Sequence, residues 1–598
     1  MKRLALYVFW EKEGLVRDHI LYYLDGLKKV AEDIFLIANG KLEEEGEKVL
    51  KAQDVNILKR ENIGLDFSAW KAAIDQIGVD KLAEYDELIL CNCSCYGPIY
   101  PFAECFQKME EEKCDFWGLY RHPEIKGLFP AHLQSYFLVL RKSILESNAF
   151  GDYWKELSVA ADWNEAVRQE THFTKYFEDR GFVSSAYIQN DTYEKLIDNP
   201  TVPLAHLLIK NERFPLLKKK AFTESYEWVI AHGNTSQGKE TLELLKKHID
   251  YPINFLLSDL LATTQGSLLR KALHHTFVLS EGMVQQTQIK EKVAIIVFSY
   301  YEDLVEEDIY YIQNMPLESE VYIVVVSDIL KEVWEQKKYK LSGRYVDIRK
   351  QANRGRNENA YWLTCRDVIE NYDFICVAHD KKTPSAKPAI KGHYFSRHCW
   401  DNILKSPAYV NSIIDLFRRR PELGILMPPT LVFADFDKCI FNREWAASKE
   451  IALEIYKRLD LHIPFDEHPD APWGAMFWLR GKAMAPFYRY HWTIEDFPEE
   501  PIREPDGTIL HALERMYPMI AQEAGYFSAW IMPESEAGVH FDNMYHLAKQ
   551  KAAQLDFMSG SSAQSQPSVQ NYDVHFKTIR RMIKAYLKKK WHKLFRKR

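Results

Sequence analysis

Short apolar runs alternate with amphipathic stretches from the first residues of the chain. Leu4 to Phe9, Ile34 to Asn39 and Val55 to Lys59 read as strands, with helices predicted over Val16 to Val30 and Leu42 to Ala52 between them. Strand-length apolar runs separated by segments of helical period predict a parallel or mixed sheet with helices on its faces. Asn39-Gly40 is a turn signal between two of these elements. The next helix begins at Asp66, with Phe67, Trp70, Ala73, Ile74 and Ile77 at helical spacing, and a strand over Glu87 to Leu90 runs into Asn92 and Ser94. Open α/β sheets bind ligands beyond the carboxyl ends of their strands, which puts those two polar residues at a ligand edge.

The pattern then restarts. Lys292 to Phe298 reads as a strand, Leu304 to Asn314 as a helix, Val321 to Val326 as a strand, and Phe374 to Ala378 as a strand running into His379, Asp380, Lys381 and Lys382. The motifs recur in order as well. Asn62-Ile63-Gly64-Leu65-Asp66 returns as Asn353-Arg354-Gly355-Arg356-Asn357, and Ser135 to Arg141 returns as Ala475 to Arg480. Glu170 stands as far before Gly181 as Glu514 stands before Gly525. A repeat this long is two copies of one domain rather than a solenoid, whose unit is about 20–50 residues.

The reading divides the chain into a first α/β domain over 1–199, a helical connector over 200–290 and a second α/β domain over 291–558. Residues 559–573, rich in Ser and Gln, read as a flexible linker. Residues 574–598 have no acidic side chain but many Lys and Arg, with Phe576, Ile579, Ile583, Tyr586, Leu587, Trp591, Leu594 and Phe595 interleaved at steps of three and four. That is a basic amphipathic helix suited to an anionic membrane surface. A nucleic-acid arm gains little from such an apolar stripe, and a formal charge of −7 on 598 residues also argues against a nucleic-acid protein. The first residues do not read as a signal peptide, and no stretch is apolar enough for a membrane span. The expected location is therefore cytoplasmic, peripheral on the inner face of the cell membrane. Nine cysteines include no Cys-x-x-Cys pair, so reduced thiols are expected rather than a zinc site.

Four features carry candidate chemistry. Asn62, Gly64 and Asp66 follow a strand and open a helix, where glycine lets backbone approach a ligand and the polar side chains can grip a base or ribose; the same residues also suit a helix N-cap and turn. In the second copy Asn353, Gly355 and Arg356 take these places, and arginine suits phosphate oxygens. At the strand ends Asn92 and Ser94 are poor ligands for a hard cation. His379, Asp380 and Lys381 suit either a diphosphate neutralised by lysine or one held through a divalent metal, Mg2+ or Mn2+, with Asp380 as candidate ligand. Finally Glu170 and Glu514, each preceding a helix-like stretch, are candidate general bases or else capping or surface carboxylates.

Together, Glu61 to Lys71, Cys95-Tyr96-Gly97-Pro98, Asp115-Phe116-Trp117-Gly118, His132 to Phe137, Asn353 to Arg356, His379 to Lys382, Met476-Phe477-Trp478 and Asp506 to Arg515 resemble the rhamnan synthesis protein F family of bacterial cell-wall glycosyltransferases. The resemblance runs from residue 1 to about 550. It implies two GT-A-like nucleotide-sugar transferase domains. It also implies transfer of L-rhamnose from dTDP-L-rhamnose to a rhamnose-rich glycan on a polyprenyl-diphosphate carrier. On that expectation Glu170 and Glu514 act as bases in an inverting transfer, and Asn62, Asp66, Asn92, Asn353, Arg356 and Asp380 face the donor. Cys93 and Asn357 stand where the family commonly has aspartate, which leaves open a weakened donor site or one half acting only as an acceptor-binding module. A membrane scaffold for wall-synthesis enzymes is the non-enzymatic alternative.

Overall fold

The computed structural model describes Met1 to Ser559 except residues 190–191, 224–227, 229–230, 232–235, 283–288, 383–387, 434–443 and 505. The expected linker and basic helix at 559–573 and 574–598 lie outside the described residues, apart from Ser559, which ends a helix that starts at Glu534.

The first sheet has seven strands: β1 Arg3–Phe9, β2 Asp33–Asn39, β3 Asn56–Arg60, β4 Glu87–Asn92, β5 Phe116–Gly118, β6 Phe137–Arg141 and β7 Ser184–Ala186. Their order across the sheet is β7-β5-β6-β4-β1-β2-β3. All neighbours are parallel except β6, which runs antiparallel to both β4 and β5. The second sheet is built from β8 Thr276–Leu279, β9 Val293–Phe298, β10 Glu320–Val325, β11 Val346–Lys350, β12 Phe374–His379, β13 Leu423–Met427, β14 Phe477–Arg480 and β15 Phe527–Pro533. Its order is β8-β15-β13-β14-β12-β9-β10-β11, again with one antiparallel strand, β14, between β12 and β13. Strand for strand this is the first sheet with β8 added at one edge. The sequence repeat is therefore a repeat of topology, including the reversed strand that no short motif would reveal.

The strands read as unbroken apolar runs because both their faces are covered. Along β1, Ala5, Tyr7 and Phe9 join one core, while Leu4, Leu6 and Val8 face another with Phe67, Trp70, Phe173 and Phe177. Along β9, Val293, Ile295 and Val297 join that first core, and Ala294, Ile296 and Phe298 pack with Trp362 and Tyr517. The shared core passes through Leu208, Leu245, Leu256 and Leu260, so the connector is the buried seam between the sheets.

The connector is more than helical. Helices Ala205–Glu212, Gln237–His248 and Ile253–Thr263 match the expectation, but Leu217–Lys218 pairs antiparallel with Cys95–Tyr96 of the first unit. Thr276–Leu279 adds a parallel edge strand to the second unit. Backbone hydrogen bonding to distant segments, in a separate two-stranded ladder for Leu217–Lys218 and at the sheet edge for Thr276–Leu279, recruited them, a tertiary effect that local periodicity does not register. Among the described residues, no helix is long and apolar enough to cross a membrane.

Candidate functional site

The strand-to-helix turn after β3 has a distinctive backbone. Gly64 adopts φ +75° and Leu65 follows at φ +53°; in the second unit Gly355 adopts φ +76° and Arg356 φ +49°. A bulky residue with positive φ is an outlier that persists only where its surroundings fix it. Its recurrence at the same step of both units marks the turn as a built feature. In the first unit the Asn39 side chain donates to Asn62 Oδ1 at 2.7 Å, and Arg60 is hydrogen-bonded to Asn39 and, at 2.7 Å, to the Ile63 carbonyl. In the second unit the arginines turn toward the loop at 495–500: Arg354 meets Glu499 at 3.0 Å and Arg356 meets Glu500 at 2.5 Å. Asn353 is exposed beside them.

At the carboxyl ends of β4 and β12 the two units share the same strand register. β1 pairs with β4 so that Val8 faces Asn92, and β9 pairs with β12 so that Phe298 faces His379. One step on, Cys93 donates its N–H to the Val8 carbonyl at 3.0 Å, and Asp380 donates to the Phe298 carbonyl at 3.2 Å. Cys93 Sγ accepts from the Trp10 N–H at 3.3 Å; Asp380 Oδ2 accepts from Tyr300 and Tyr301 N–H groups at 2.7 and 2.6 Å. Cys93 thus stands in the place of Asp380, a thiol held by the backbone group that elsewhere holds a carboxylate. Ser94 then corresponds to Lys381.

The first strand end brings three predicted residues together. Asn92 Nδ2 donates to Asp66 Oδ2 at 2.7 Å, and Asn92 Oδ1 accepts from the Ser94 hydroxyl at 2.6 Å. Burial pushes the Asp66 carboxyl up to about 6 against the opposing Asn92 bond, and the negative charge of Glu170 adds to the rise. At the second strand end, His379 has both ring nitrogens on backbone carbonyls, those of Asp380 at 2.7 Å and Gly474 at 2.8 Å. Among the described residues Asp380 Oδ1 is buried without a hydrogen-bond partner, and so is Oδ1 of the nearby Asp308. Burial raises both carboxyls, and the nearby Asp380 charge raises Asp308 further.

The two glutamates lie inside helices rather than ahead of them, Glu170 in Trp163–Glu178 and Glu514 in Ile509–Glu523. The first helix is started by the Asp162 side chain, which accepts from the Glu165 N–H at 2.9 Å. Phe173 and Phe177 pack that helix against the sheet, and Glu170, one turn before Thr174, lies on the same side. Glu170 Oε1 accepts from the Ser135 N–H at 3.0 Å; Thr174 accepts from Leu133 N–H at 2.9 Å. Glu514 Oε1 accepts from the Gly474 N–H at 2.5 Å. In each unit a half-buried carboxylate is pinned by one oxygen to the loop that enters the antiparallel strand. Among the described residues its other oxygen has no such backbone bond. A carboxylate so held can take a proton from a hydroxyl brought to the strand edge.

Three groups of this region do not stand out in the sequence. Asp308 is one, and Lys218, described below, is another. The third is Glu358, which occupies the repeat position of Phe67. Its carboxylate accepts from Trp362 Nε1 at 2.8 Å, from Asn357 Nδ2 at 3.1 Å and from the Tyr517 hydroxyl. Burial raises it to about 7, opposed by the Tyr517 and Trp362 bonds and increased by Glu514. Aligning the two copies residue by residue shows an acid opposite a phenylalanine, the one signal that could have found it. Because the folded chain holds this proton more tightly than the unfolded chain, Glu358 favours the fold at low pH and loses that contribution as pH rises through roughly 4.5 to 7. Glu358→Gln should therefore be more stable than the parent at pH 8, by up to about 3 kcal/mol, with the advantage vanishing near pH 4.5. Denaturant midpoints at the two pH values measure this, and an equal or lower midpoint for the variant at pH 8 would refute it.

Among the described residues, no three His, Cys, Asp or Glu side chains converge on a point that could hold a metal ion. Asp380 Oδ1 is the oxygen that suits a divalent cation; its counterpart Cys93 offers a soft ligand instead.

A curated relative, the uncharacterized protein y4gN of Sinorhizobium fredii, is 25% identical over 191 residues, covering 31% of this chain and 49% of that protein. The chain thus spans about half the length of the curated relative it matches. Similar solved structures include the mannosyltransferase PcManGT from Pyrobaculum calidifontis in complex with GDP-Man and Mn2+, at 13% identity and TM-score 0.23, covering 41% of this chain and 57% of that one. The glycosyltransferase GlyE of Streptococcus pneumoniae is similar at 10% identity and TM-score 0.20, covering 66% of this chain and 90% of that one. Both likenesses are too distant to bear on substrate. The model of the family described as Rhamnan synthesis protein F matches residues 34–526, most of the chain, and the chain belongs to that family.

Proposed function

We propose that the chain is a glycosyltransferase of cell-wall polysaccharide synthesis that moves L-rhamnose from dTDP-L-rhamnose to a lipid-linked, rhamnose-rich glycan. In this reading each α/β unit is one GT-A-like transferase domain, and the two make successive linkages. The observation that carries it is the duplicated carboxylate: Glu170 on Ser135 N–H and Glu514 on Gly474 N–H, each beside the carboxyl end of a central parallel strand. Membership of the rhamnan synthesis family supports the polymer and the sugar.

In the proposed step Glu170 or Glu514 removes the proton from an acceptor hydroxyl as that oxygen attacks the anomeric carbon of the donor. The bond from that carbon to the diphosphate oxygen breaks, the diphosphate leaves with the electron pair, and the new linkage has inverted configuration. Asn62, Asp66 and Asn92 face the donor in the first site, and Asn353, Arg356, His379, Asp380 and Lys381 in the second. If a divalent cation takes part, Asp380 holds it, and it supplies charge neutralisation of the diphosphate. The basic segment after residue 573 would keep the enzyme at the inner membrane surface, where the lipid-linked acceptor lies. The thiol of Cys93 in the place of Asp380 favours one second reading, that the first unit transfers more slowly or only binds acceptor.

The test is transfer from dTDP-, UDP- and GDP-sugars to a synthetic lipid-linked rhamnose acceptor, with and without chelator, with products resolved by mass and linkage. Two linkages from dTDP-rhamnose support two active domains. One linkage supports the second reading. Transfer only from another nucleotide sugar would replace rhamnose as the donor sugar, and no transfer at all would overturn the enzymatic reading.

A further inference from the structure

The two strand ends differ in charge. Where the second unit has Lys381, the first has Ser94, and where the second has Asp380, the first has Cys93. In the second unit the Lys381 ammonium rests 4.2 Å from the centre of the Phe395 ring, and a side chain at Gly474 would come within 3.5 Å of it. Lys381 therefore sits against the very loop that holds Glu514. The first unit's own strand end has no cation at this place.

A cation reaches it from the connector. The Leu217–Lys218 ladder lies along Cys95–Tyr96 with Lys218 opposite Cys95, and the next backbone N–H, that of Lys219, donates to the Ser94 carbonyl at 3.0 Å. The Lys218 ammonium lies over the Tyr136 ring, 4.4 Å from its centre. Tyr136 follows Ser135, whose N–H holds Glu170. Lysine and glutamate thus flank one loop, as Lys381 and Glu514 do in the second unit. Lys219, pointing the other way, is 3.0 Å from Asp259. Lys218 is half-buried and, among the described residues, has no carboxylate at ion-pair distance and no hydrogen-bond acceptor. A desolvated ammonium held on an aromatic face without a counter-ion is a site for an anion. Burial lowers its pKa while Cys95 and Glu170 raise it, which agrees with its closeness to the base.

We infer that Lys218 of the connector supplies the first site's cation for the donor diphosphate, taking the part that Lys381 takes in the second. This rests on the proposed nucleotide-sugar reading. It also makes the connector part of the first site.

The experiment measures equilibrium binding of dTDP, UDP, GDP and the corresponding nucleosides to the full chain and to its Lys218→Met and Lys218→Arg variants, with thermal midpoints in parallel. Donor KM for the linkage that survives Glu514→Gln gives a second readout. Lys218→Met should weaken one class of diphosphate sites by roughly 10- to 100-fold, the range for a charge-assisted contact. It should leave nucleoside binding and the midpoint unchanged, and Lys218→Arg should recover most of the loss. Unchanged diphosphate binding by Lys218→Met would overturn the assignment while leaving the site's reading intact. Equal weakening of nucleoside and diphosphate would also overturn it, since a merely structural lysine behaves so. If the unaltered chain binds no nucleoside diphosphate, the nucleotide-sugar reading itself falls, and this inference with it.

Discussion

Glutamine at Glu170 is expected to remove one linkage from the product and leave the other, and glutamine at Glu514 the reverse. Loss of a general base costs about 10²- to 10⁴-fold in rate, the largest effect any single substitution should have here. The substitution is close to isosteric. Glutamine keeps an oxygen to accept the Ser135 N–H now bound at 3.0 Å, or the Gly474 N–H at 2.5 Å, so the loop and its antiparallel strand stay in place. What disappears is the ability to take a proton. The loss should therefore fall on kcat for the affected linkage with little change in donor KM. A second signature follows from the charge of Glu170 on Asp66: the Glu170→Gln variant should lower the pKa of Asp66 below about 6, readable by carboxyl-detected titration. Linkage analysis of products on defined acceptors is the deciding measurement. Retention of both linkages at full rate by both variants would rule out the base assignment.

The repeat was legible because its parts are local. Asn-x-Gly before a helix, an apolar strand ending in polar residues, and a glutamate at fixed spacing from a glycine all lie within short windows, and each maps to the same structural step in both units. The alternation of apolar and amphipathic segments likewise revealed the parallel strands, since strands covered on both faces must be apolar throughout. Pairing across long separations was not legible. Nothing near Leu217 announces that it will lie on Tyr96, so the lysine run beside it reads only as part of a helical connector. Glu358 shows the same limit from another side. Its neighbours Trp362 and Tyr517 give it donors only after the chain has folded, and one line of sequence cannot distinguish a buried acid with three donors from an exposed one. The substitution of Cys93 for an aspartate was visible as a letter. Its meaning became physical only when its sulfur proved to occupy the Asp380 position on the backbone.

Replacing Asp259 by alanine should destabilise the first unit by about 3 kcal/mol, the cost of leaving the Lys219 ammonium and the buried Tyr96 hydroxyl without their partner. Asp259 is 1% exposed on the connector helix Ile253–Thr263. It meets Lys219 Nζ at 3.0 Å, accepts from the Tyr96 hydroxyl at 2.7 Å and lies 3.6 Å from Arg17 Nε. Burial alone would raise its pKa, but the Lys219 ammonium and the Tyr96 bond hold it below the ordinary carboxylate value. His19 beside it is driven down to about 3 by burial and by Lys219, so at neutral pH it is a neutral neighbour and the ion pairs are those with Lys219 and Arg17. An acid with a lowered folded pKa stabilises above its unfolded value and loses that contribution as pH falls through the folded one; the alanine penalty should therefore shrink toward strongly acid pH. Asp259→Asn, which keeps an acceptor for Tyr96, should cost less than alanine but still leave Lys219 without its counter-ion, while Arg17 keeps Glu11 at 3.3 Å. Hydrogen exchange in β1 and along Cys95–Tyr96 would localise the loss, and a denaturation curve for Asp259→Ala matching that of the parent would remove the argument. The same carboxylate fixes Lys219, and Lys219 is the residue after Lys218. Loosening the lock should free the short strand that presents Lys218, so the alanine variant is expected to lose diphosphate affinity at the first site even at temperatures where the unit remains folded. Fold stability and donor binding would then be tied together through two adjacent lysines that point to opposite sides of one strand end.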